Sequence, residues 1–575
     1  MASISSRILA AVLVLLGLVP AVTQALMPLE TTPSYISTAN GHVATGGAWA
    51  DVDGDGWIDM VVSNGNDMAR QTLVIYHNHG DGTLPLDPTW SASDIDYHGH
   101  LDVGDVNGDG LVDVAVAVYI GPAGFSEPGK VKLYLNNGAG AFHTTPDWVS
   151  ADPVYCFSLA LGDADGDGDL DLACACGDDY EDSPERQRIF FNNGGTLETT
   201  PSWQSTEISY ALDVTWGDVD QDGDLDLAFC GASVPMRVYL NGQTQGLGIA
   251  TTASWQSTDL PEEGNTATFG DWNGDGFPEL AVADNYQMGG DGYFKVYANH
   301  AGTLGTTPTW HSANGGYGSH ASWIDLDRDD DLDLITGRWW GHCAIYENSG
   351  LTLTTSPVWS STTNSVVENM FWGDVDNGAL RDTGRTIASG DGARTFFPLG
   401  TVPVYSVDGV WVDDVLQPQS AYAVHLGNGW ISMATPPPAG SSNVSIHYTY
   451  STEYDLGVTN WDSSIGNYVF FNTGALTGVP ELAQAVQALR AQPNPLIQTT
   501  WLGYAGPRAE QARLSILDVN GRLVRRLHDG PIDGERVSWQ WDRRDDGGRR
   551  VASGTYFARL EAGSSVGGTR LIVVD

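Results

Sequence analysis

An aspartate-rich segment returns along this chain at a near-constant interval, and that regularity leaves few folds open. "ADVDGDGWIDMVVSNG" from Ala50 is followed by "GDVNGDGLVDVAVAVY" from Gly104, "GDADGDGDLDLACACG" from Gly162 and "GDVDQDGDLDLAFCGA" from Gly217. It recurs as "GDWNGDGFPELAVADN" from Gly270 and "IDLDRDDDLDLITGRW" from Ile324, and a seventh start, "GDVDNGALRD", begins at Gly373. The first six leading aspartates, Asp51, Asp105, Asp163, Asp218, Asp271 and Asp325, lie 53 to 58 residues apart. Other landmarks keep the same phase: "LDPTWSAS", "TTPDWVSA" or "TTPSWQST" before a loop, and "VKLYLNNG", "RIFFNNG" or "YVFFNTG" after it. Each unit of roughly 50 residues therefore holds about four short strand-like segments separated by Gly, Asn and Pro turns. Units of that kind close into a ring of blades, which leaves only short strand edges exposed.

The segment before each loop alternates with a period of two. Counting back from the leading aspartate, the second residue is Trp49, Val103, Leu161, Trp216, Phe269, Trp323 or Trp372. The fifth is Gly46, His100, Ser158, Asp213, Thr266, His320 or Asn369, small or polar throughout. One apolar and one polar face fit an innermost strand that packs between blades and lines a wet central channel.

In these residues the chain resembles the FG-GAP/VCBS repeat family, calcium-loop propellers related to integrin α-subunits. The resemblance covers about residues 31–475 and implies an all-β fold, a seven-bladed propeller. The loop pattern D-x-[DN]-x-D-x-x-x-[DE] suits calcium, a hard cation that takes about six to eight oxygen ligands in flexible geometry. Carboxylate or amide oxygens at positions one, three, five and nine would supply them, with a backbone carbonyl at seven. The candidate ligand sets are Asp51, Asp53, Asp55, Asp59; Asp105, Asn107, Asp109, Asp113; and Asp163, Asp165, Asp167, Asp171. They continue as Asp218, Asp220, Asp222, Asp226; Asp271, Asn273, Asp275, Glu279; and Asp325, Asp327, Asp329, Asp333. About six structural Ca2+ sites are thus expected. An EF-hand is excluded, because it needs a Glu at position twelve and flanking helices. Position twelve here is Val62, Val116, Cys174, Phe229, Val282 or Thr336, inside a strand-like run. The seventh loop has Gly378 at position five, so its ion site is expected to be lost or remodelled.

That seventh unit is interrupted. Residues 379–453 alternate like a strand series and read as a small inserted β-unit before "YDLGVTNW" resumes the blade at Tyr454. From residue 479 the composition changes: 13 of the 26 Lys and Arg residues of the chain lie there, against 11 acids. "ARLSILDVNGRLVRRL" and "WQWDRRDDGGRRVASGTYFARLEAG" resemble FlgD-like immunoglobulin-like domains and the sorting domains of type IX secretion cargo. That resemblance implies a β-sandwich over 479–575 and contact with secretion or cell-envelope machinery.

The net charge of −46 disfavours nucleic acid and anionic membrane as partners. Residues 1–25 read as a secretory signal: Arg7, an apolar run, and "TQA" ending at Ala25. The run is short for a membrane span, so a secreted or cell-surface protein with no span after cleavage is expected. Five cysteines, an odd number, fit buried thiols better than a disulfide frame.

No H-E-x-x-H helix or phosphate-binding glycine loop is present. In the resembled propellers the ligand face is opposite the metal loops. Carried over to this chain, that face offers His100, Tyr119, Tyr180, Tyr286, His320, Trp339 and Trp340, and would take a protein or carbohydrate. Adhesion or recognition without catalysis is the expected function. The alternative is a polysaccharide lyase or hydrolase on a calcium-stabilised propeller, with His100 and His320 in the reaction.

Overall fold

A computed structural model describes residues 27–473 except 139, 141, 260–262, 351 and 377–380. In the C-terminal part it describes 490–492, 499–505, 509–518, 522–532, 536–562 and 565–573. The expected signal lies outside the described residues. The chain divides into two compact units, Met1–Thr477 and Gly478–Asp575. The described residues contain strands and two short 3-10 turns, and no α-helix.

In the first unit the apolar, β-branched run after each loop forms the second strand of an antiparallel sheet, and the alternating segment before it forms the innermost strand. Blade 1 pairs Ala44–Ala50, Asp59–Asn64, Val74–Tyr76 and Trp90–Ser91 in chain order. Blades 2, 3, 5 and 6 start from Tyr97–Gly104, Cys156–Gly162, Gly264–Gly270 and Gly318–Ile324 and repeat that order. Blades 3 and 4 share the long strand Trp203–Gly217, whose start closes one sheet and whose end opens the next. In blade 7 the inner strand Val367–Gly373 pairs with Asp455–Asn460, then Tyr468–Phe470, and the outermost place is taken by Tyr35–Ile36 from the chain start. Each inner strand packs on the next, and the seventh packs on the first.

Two repeated side-chain hydrogen bonds tie neighbouring blades. The outer-strand tryptophans Trp90, Trp148, Trp203, Trp255, Trp310 and Trp359 donate their indole N–H to a carbonyl of the following unit at 2.8 to 3.4 Å. The last of these reaches Leu29 and carries the pattern across the ring closure. In the other direction, the amides of Asn78, Asn136, Asn192, Asn241, Asn299 and Asn348 donate to carbonyls of the preceding unit at 2.7 to 2.9 Å. Their acceptors, Val375, Val52, Val106, Ala164, Val219 and Trp272, are the second residues of the aspartate loops. Each such Asn thus fixes a loop in the neighbouring blade, and a buried carbonyl left unpaired would cost about 1–3 kcal/mol.

The channel departs from expectation at its fifth-position ring. His100 and His320 are only 6% and 7% exposed there, and Ser158, Asp213 and Thr266 are buried too. Ser158 Oγ donates to Asp213 Oδ1 at 2.6 Å and Thr266 Oγ1 to the Ser319 carbonyl, while neither ring nitrogen of His320 has a hydrogen-bond partner. All five cysteines are buried and none is disulfide-bonded.

The interruption of blade 7 folds as two small sheets around Phe397, Val410, Ile431, Val444 and Ile446. One sheet contains Asp382–Ala388, Val444–Tyr450, Ser406–Val412 and Val415–Leu416, and the other Phe396–Pro398, Trp430–Met433 and Tyr422–His425. In the second unit, Arg490–Gln492, Thr500–Ala505 and Arg536–Trp541 form one sheet. A second sheet orders Leu523–Ile532, Ala509–Asp518, Gly554–Ala562 and Ser565–Val573. Leu502, Leu514, Ile516, Trp541 and Leu560 fill the core of this immunoglobulin-like sandwich.

Candidate functional site

Every aspartate loop joins an innermost strand to a second strand, so all of them lie at one end of the ring. Glycine permits the curl: Gly54 and Gly56 in loop 1 hold φ of 73° and 93°, which a side chain rarely adopts. Within the turn, Asp51 Oδ1 accepts the N–H groups of Gly54 and Asp55 at 2.8 and 3.1 Å, and Oδ2 accepts Gly56 N–H at 3.0 Å. The position-nine acid is the anchor. Asp171 accepts Ala164 N–H at 2.8 Å and, from the neighbouring strand, Asn192 N–H at 2.7 Å. Asp59, Asp113, Asp226 and Glu279 are held in the same way.

Five groups bring one oxygen from each of three acids within 4.8 Å of one another: Asp51, Asp53, Asp59; Asp163, Asp165, Asp171; Asp218, Asp220, Asp226; Asp325, Asp327, Asp329; and Asp374, Asp376, Asp455. Several aspartate clusters could therefore hold a metal ion. The position-five carboxylates of loops 1, 3 and 4, Asp55, Asp167 and Asp222, stand outside these groups and instead accept the N–H two residues on. In loop 6, Asp333 stands outside the group, and its Oδ2 is buried without a partner. Loops 2 and 5 carry an Asn at position three, and its amide N–H donates to Asp109 in one and to Glu279 in the other.

The electrostatics fit a cation. Burial pushes Asp59, Asp113 and Glu279 up to about 7, and neighbouring acids add to the shift. Asp163 and Asp325 likewise rise to about 7. Carboxylates crowded out of water resist ionisation unless a positive charge joins them. An oxygen-only donor set of this kind suits a hard cation such as calcium.

The fifth group was not visible in the continuous motif. Loop 7 breaks off after Asp376, and its position-nine acid, Asp455, arrives only beyond the insertion. Asp455 accepts Val375 N–H at 2.8 Å and Asn472 N–H at 2.7 Å, as its counterparts do in the other blades. Asp455 thereby joins Asp374 and Asp376 in one acid group. The available signal was the tail "YDLGVTNW", which matches "LDLA" and "VDVA" of the other units.

Residues that follow a second strand lie at the opposite end of the ring. There Tyr180, Tyr286 and Trp340 are 69%, 64% and 52% exposed. Packing removes the other candidates from the surface. Tyr119 is buried with its hydroxyl donating to Asp178 Oδ1 at 2.9 Å and its ring edge-on to Phe157. Trp339 is buried with its indole N–H donating to Glu368 Oε2 at 2.6 Å. His100 and His320 lie inside the channel, and burial together with the nearby His100 lowers His320 to about 3. Sequence reasoning missed Tyr317, whose ring lies 6.3 Å from Tyr286 and 5.6 Å from Trp340. Trp340 in turn lies 6.2 Å from Trp339, which lies 5.4 Å from Trp461. Five rings thus run in contact across blades 5, 6 and 7.

The fold and its loops define a repeat propeller with acid-lined turns on one face, followed by an immunoglobulin-like domain. The chain carries FG-GAP-like repeats, matched over residues 32–116, 118–174 and 271–336, and a FlgD Ig-like domain, matched over 502–565. No curated protein matches the sequence. Among solved structures the chain is similar to BBS1N in the crystal structure of its complex with ARL6DN, soaked with lead. That likeness has a TM-score of 0.37 and 11% identity, over 61% of this chain and 90% of that one. It is also similar to Sqt1 of Saccharomyces cerevisiae, again with a TM-score of 0.37 and 11% identity, over 73% of this chain and all of that one. Overlap at this level says nothing of function.

Proposed function

We propose that the chain is an exported, calcium-loaded propeller that works as a non-catalytic recognition or adhesion module at or beyond the cell surface. Its ligand, a carbohydrate or a protein, binds on the face opposite the metal loops. The observation that carries this reading is the aromatic series Tyr286, Tyr317, Trp340, Trp339 and Trp461, of which Tyr286 and Trp340 are more than half exposed. Open aromatic faces of this kind stack on sugar rings or on apolar side chains, and they are costly to leave bare without a use. Calcium is favoured over magnesium because each loop offers many protein oxygens in a flexible turn. The apolar N-terminal run supports export, and among the described residues no helix is long and apolar enough to cross a membrane. The FlgD-like domain is assigned to contact with secretion or envelope machinery. His100 and His320 are too enclosed for a polymer to reach, which argues against the polysaccharide-cleaving alternative.

Glycan and peptide arrays probed with the calcium-loaded protein test the reading. A bound class that loses at least tenfold in affinity with Trp340→Ala or Tyr286→Ala supports it. Binding unaffected by both variants, or release of cleaved product, contradicts it.

A further inference from the structure

The inserted sandwich is seated on the metal loops, and on some of them only. In loop 1, the Gly56 carbonyl accepts a hydrogen bond from Arg381 Nη2 at 2.6 Å. The Arg381 guanidinium lies 3.3 Å from the centre of the Tyr405 ring, and the Tyr405 hydroxyl lies 3.4 Å from Asp51 Oδ2. In loop 3, a Cβ at Gly168 would come within 2.6 Å of Ala434 Cβ, so only glycine lets the two backbones meet. In loop 4, the Gly223 carbonyl accepts Thr395 and Phe396 N–H at 3.1 and 3.0 Å, and Arg394 Nη2 lies 3.3 Å from Asp218 Oδ2.

Gly56, Gly168 and Gly223 all stand at position six of their loops. The equivalent Gly110 and Gly276 of loops 2 and 5 face open space. Phe396, Ala423 and Trp430 share an apolar cluster with Leu170 and Leu225, which stand at position eight of loops 3 and 4. His425 Nε2 reaches 3.1 Å from Asp102 Oδ2 on the innermost strand of blade 2.

We propose that the insertion is a cap held by the metal loops of blades 1, 3 and 4, so that cation binding there closes it and cation loss releases it. Loop 4 shows why. Asp218, Asp220, Asp222, Asp224 and Asp226 crowd one turn, and Arg394 is a single positive charge against them. A divalent ion in the turn fixes its curl and presents the position-six carbonyl to the cap. Without the ion, repulsion opens the turn and pulls the seat apart. The proposal rests on the calcium reading above.

Hydrogen exchange across 382–450 on the full chain, alongside calorimetric counting of bound calcium, separates the two. Asp165→Asn with Asp220→Asn, and Asp109→Asn with Asp275→Asn, should each reduce the ion count or affinity. Only the first pair should lower protection of the cap, by at least tenfold. Ala434→Trp, which touches no ligand, should release the cap with the ion count unchanged, and it serves if the first pair does not fold. Equal cap protection with calcium and with chelator overturns the proposal, as does equal loss in both double variants, while calcium binding would still stand. A chain that binds no calcium overturns the calcium reading itself.

Discussion

Individual side chains play two parts here: some hold blades together, and some are charged groups sealed inside the ring. Asn136 shows the first. Its amide bonds the Val52 carbonyl of the preceding blade at 2.7 Å. Asn136→Ala should therefore cost about 1–3 kcal/mol in denaturant unfolding, since a buried carbonyl loses its partner. Glu368 shows a cost accepted near the other face. Burial pushes it up to about 7 from its ordinary 4.5, against the opposing effects of His100 and the Trp339 N–H. Between those values the folded chain keeps a proton that the unfolded chain has released, so this acid lowers stability as pH rises from 4.5 to 7 and holds that cost above. Glu368→Gln should match wild type near pH 4 and gain up to about 3 kcal/mol at pH 8. A gain that does not depend on pH would refute this account of Glu368. Both residues were hard to see beforehand. "VKLYLNNG" contains Asn136 but does not show its role, because its partner lies in another repeat. Glu368 sits in an innermost strand whose apolar and polar faces were legible, but not which groups would be sealed.

At the scale of elements, the loop is the unit that the sequence declares most openly. Backbone turn, glycine positions and acids all lie within nine residues, so six loops could be read directly, and the strands around them followed from the period-two pattern. What spacing could not reveal was closure in three dimensions. Asp455 completes the acid group with Asp374 and Asp376 from beyond the inserted sandwich. Asp455→Asn should lower the calorimetric calcium count by one without affecting the contiguous loops, and an unchanged count would remove blade 7 from the metal sites. The N-terminal strand Tyr35–Ile36 is a similar case: it looks like the start of blade 1 and instead completes blade 7 through Tyr468–Phe470. The face opposite the loops was legible only in part, because an aromatic after a second strand can turn outward like Trp340 or inward like Tyr119, depending on whether neighbours such as Phe157 and Asp178 receive it.

For the molecule as a whole, the net charge of −46 is concentrated in the repeat unit, because the last 97 residues carry 13 basic groups against 11 acids. The aspartate loops all lie in the repeat unit, and the immunoglobulin-like sequence carries no loop of this pattern. Each occupied loop contributes about 2.7 kcal/mol when calcium stands at a hundredfold excess over its dissociation constant. Scanning calorimetry of the full chain with saturating calcium and with excess chelator is therefore the direct test. Chelation should lower the melting transition of the 27–473 unit by ten degrees or more and leave that of the C-terminal unit in place. A propeller transition that does not move would contradict it.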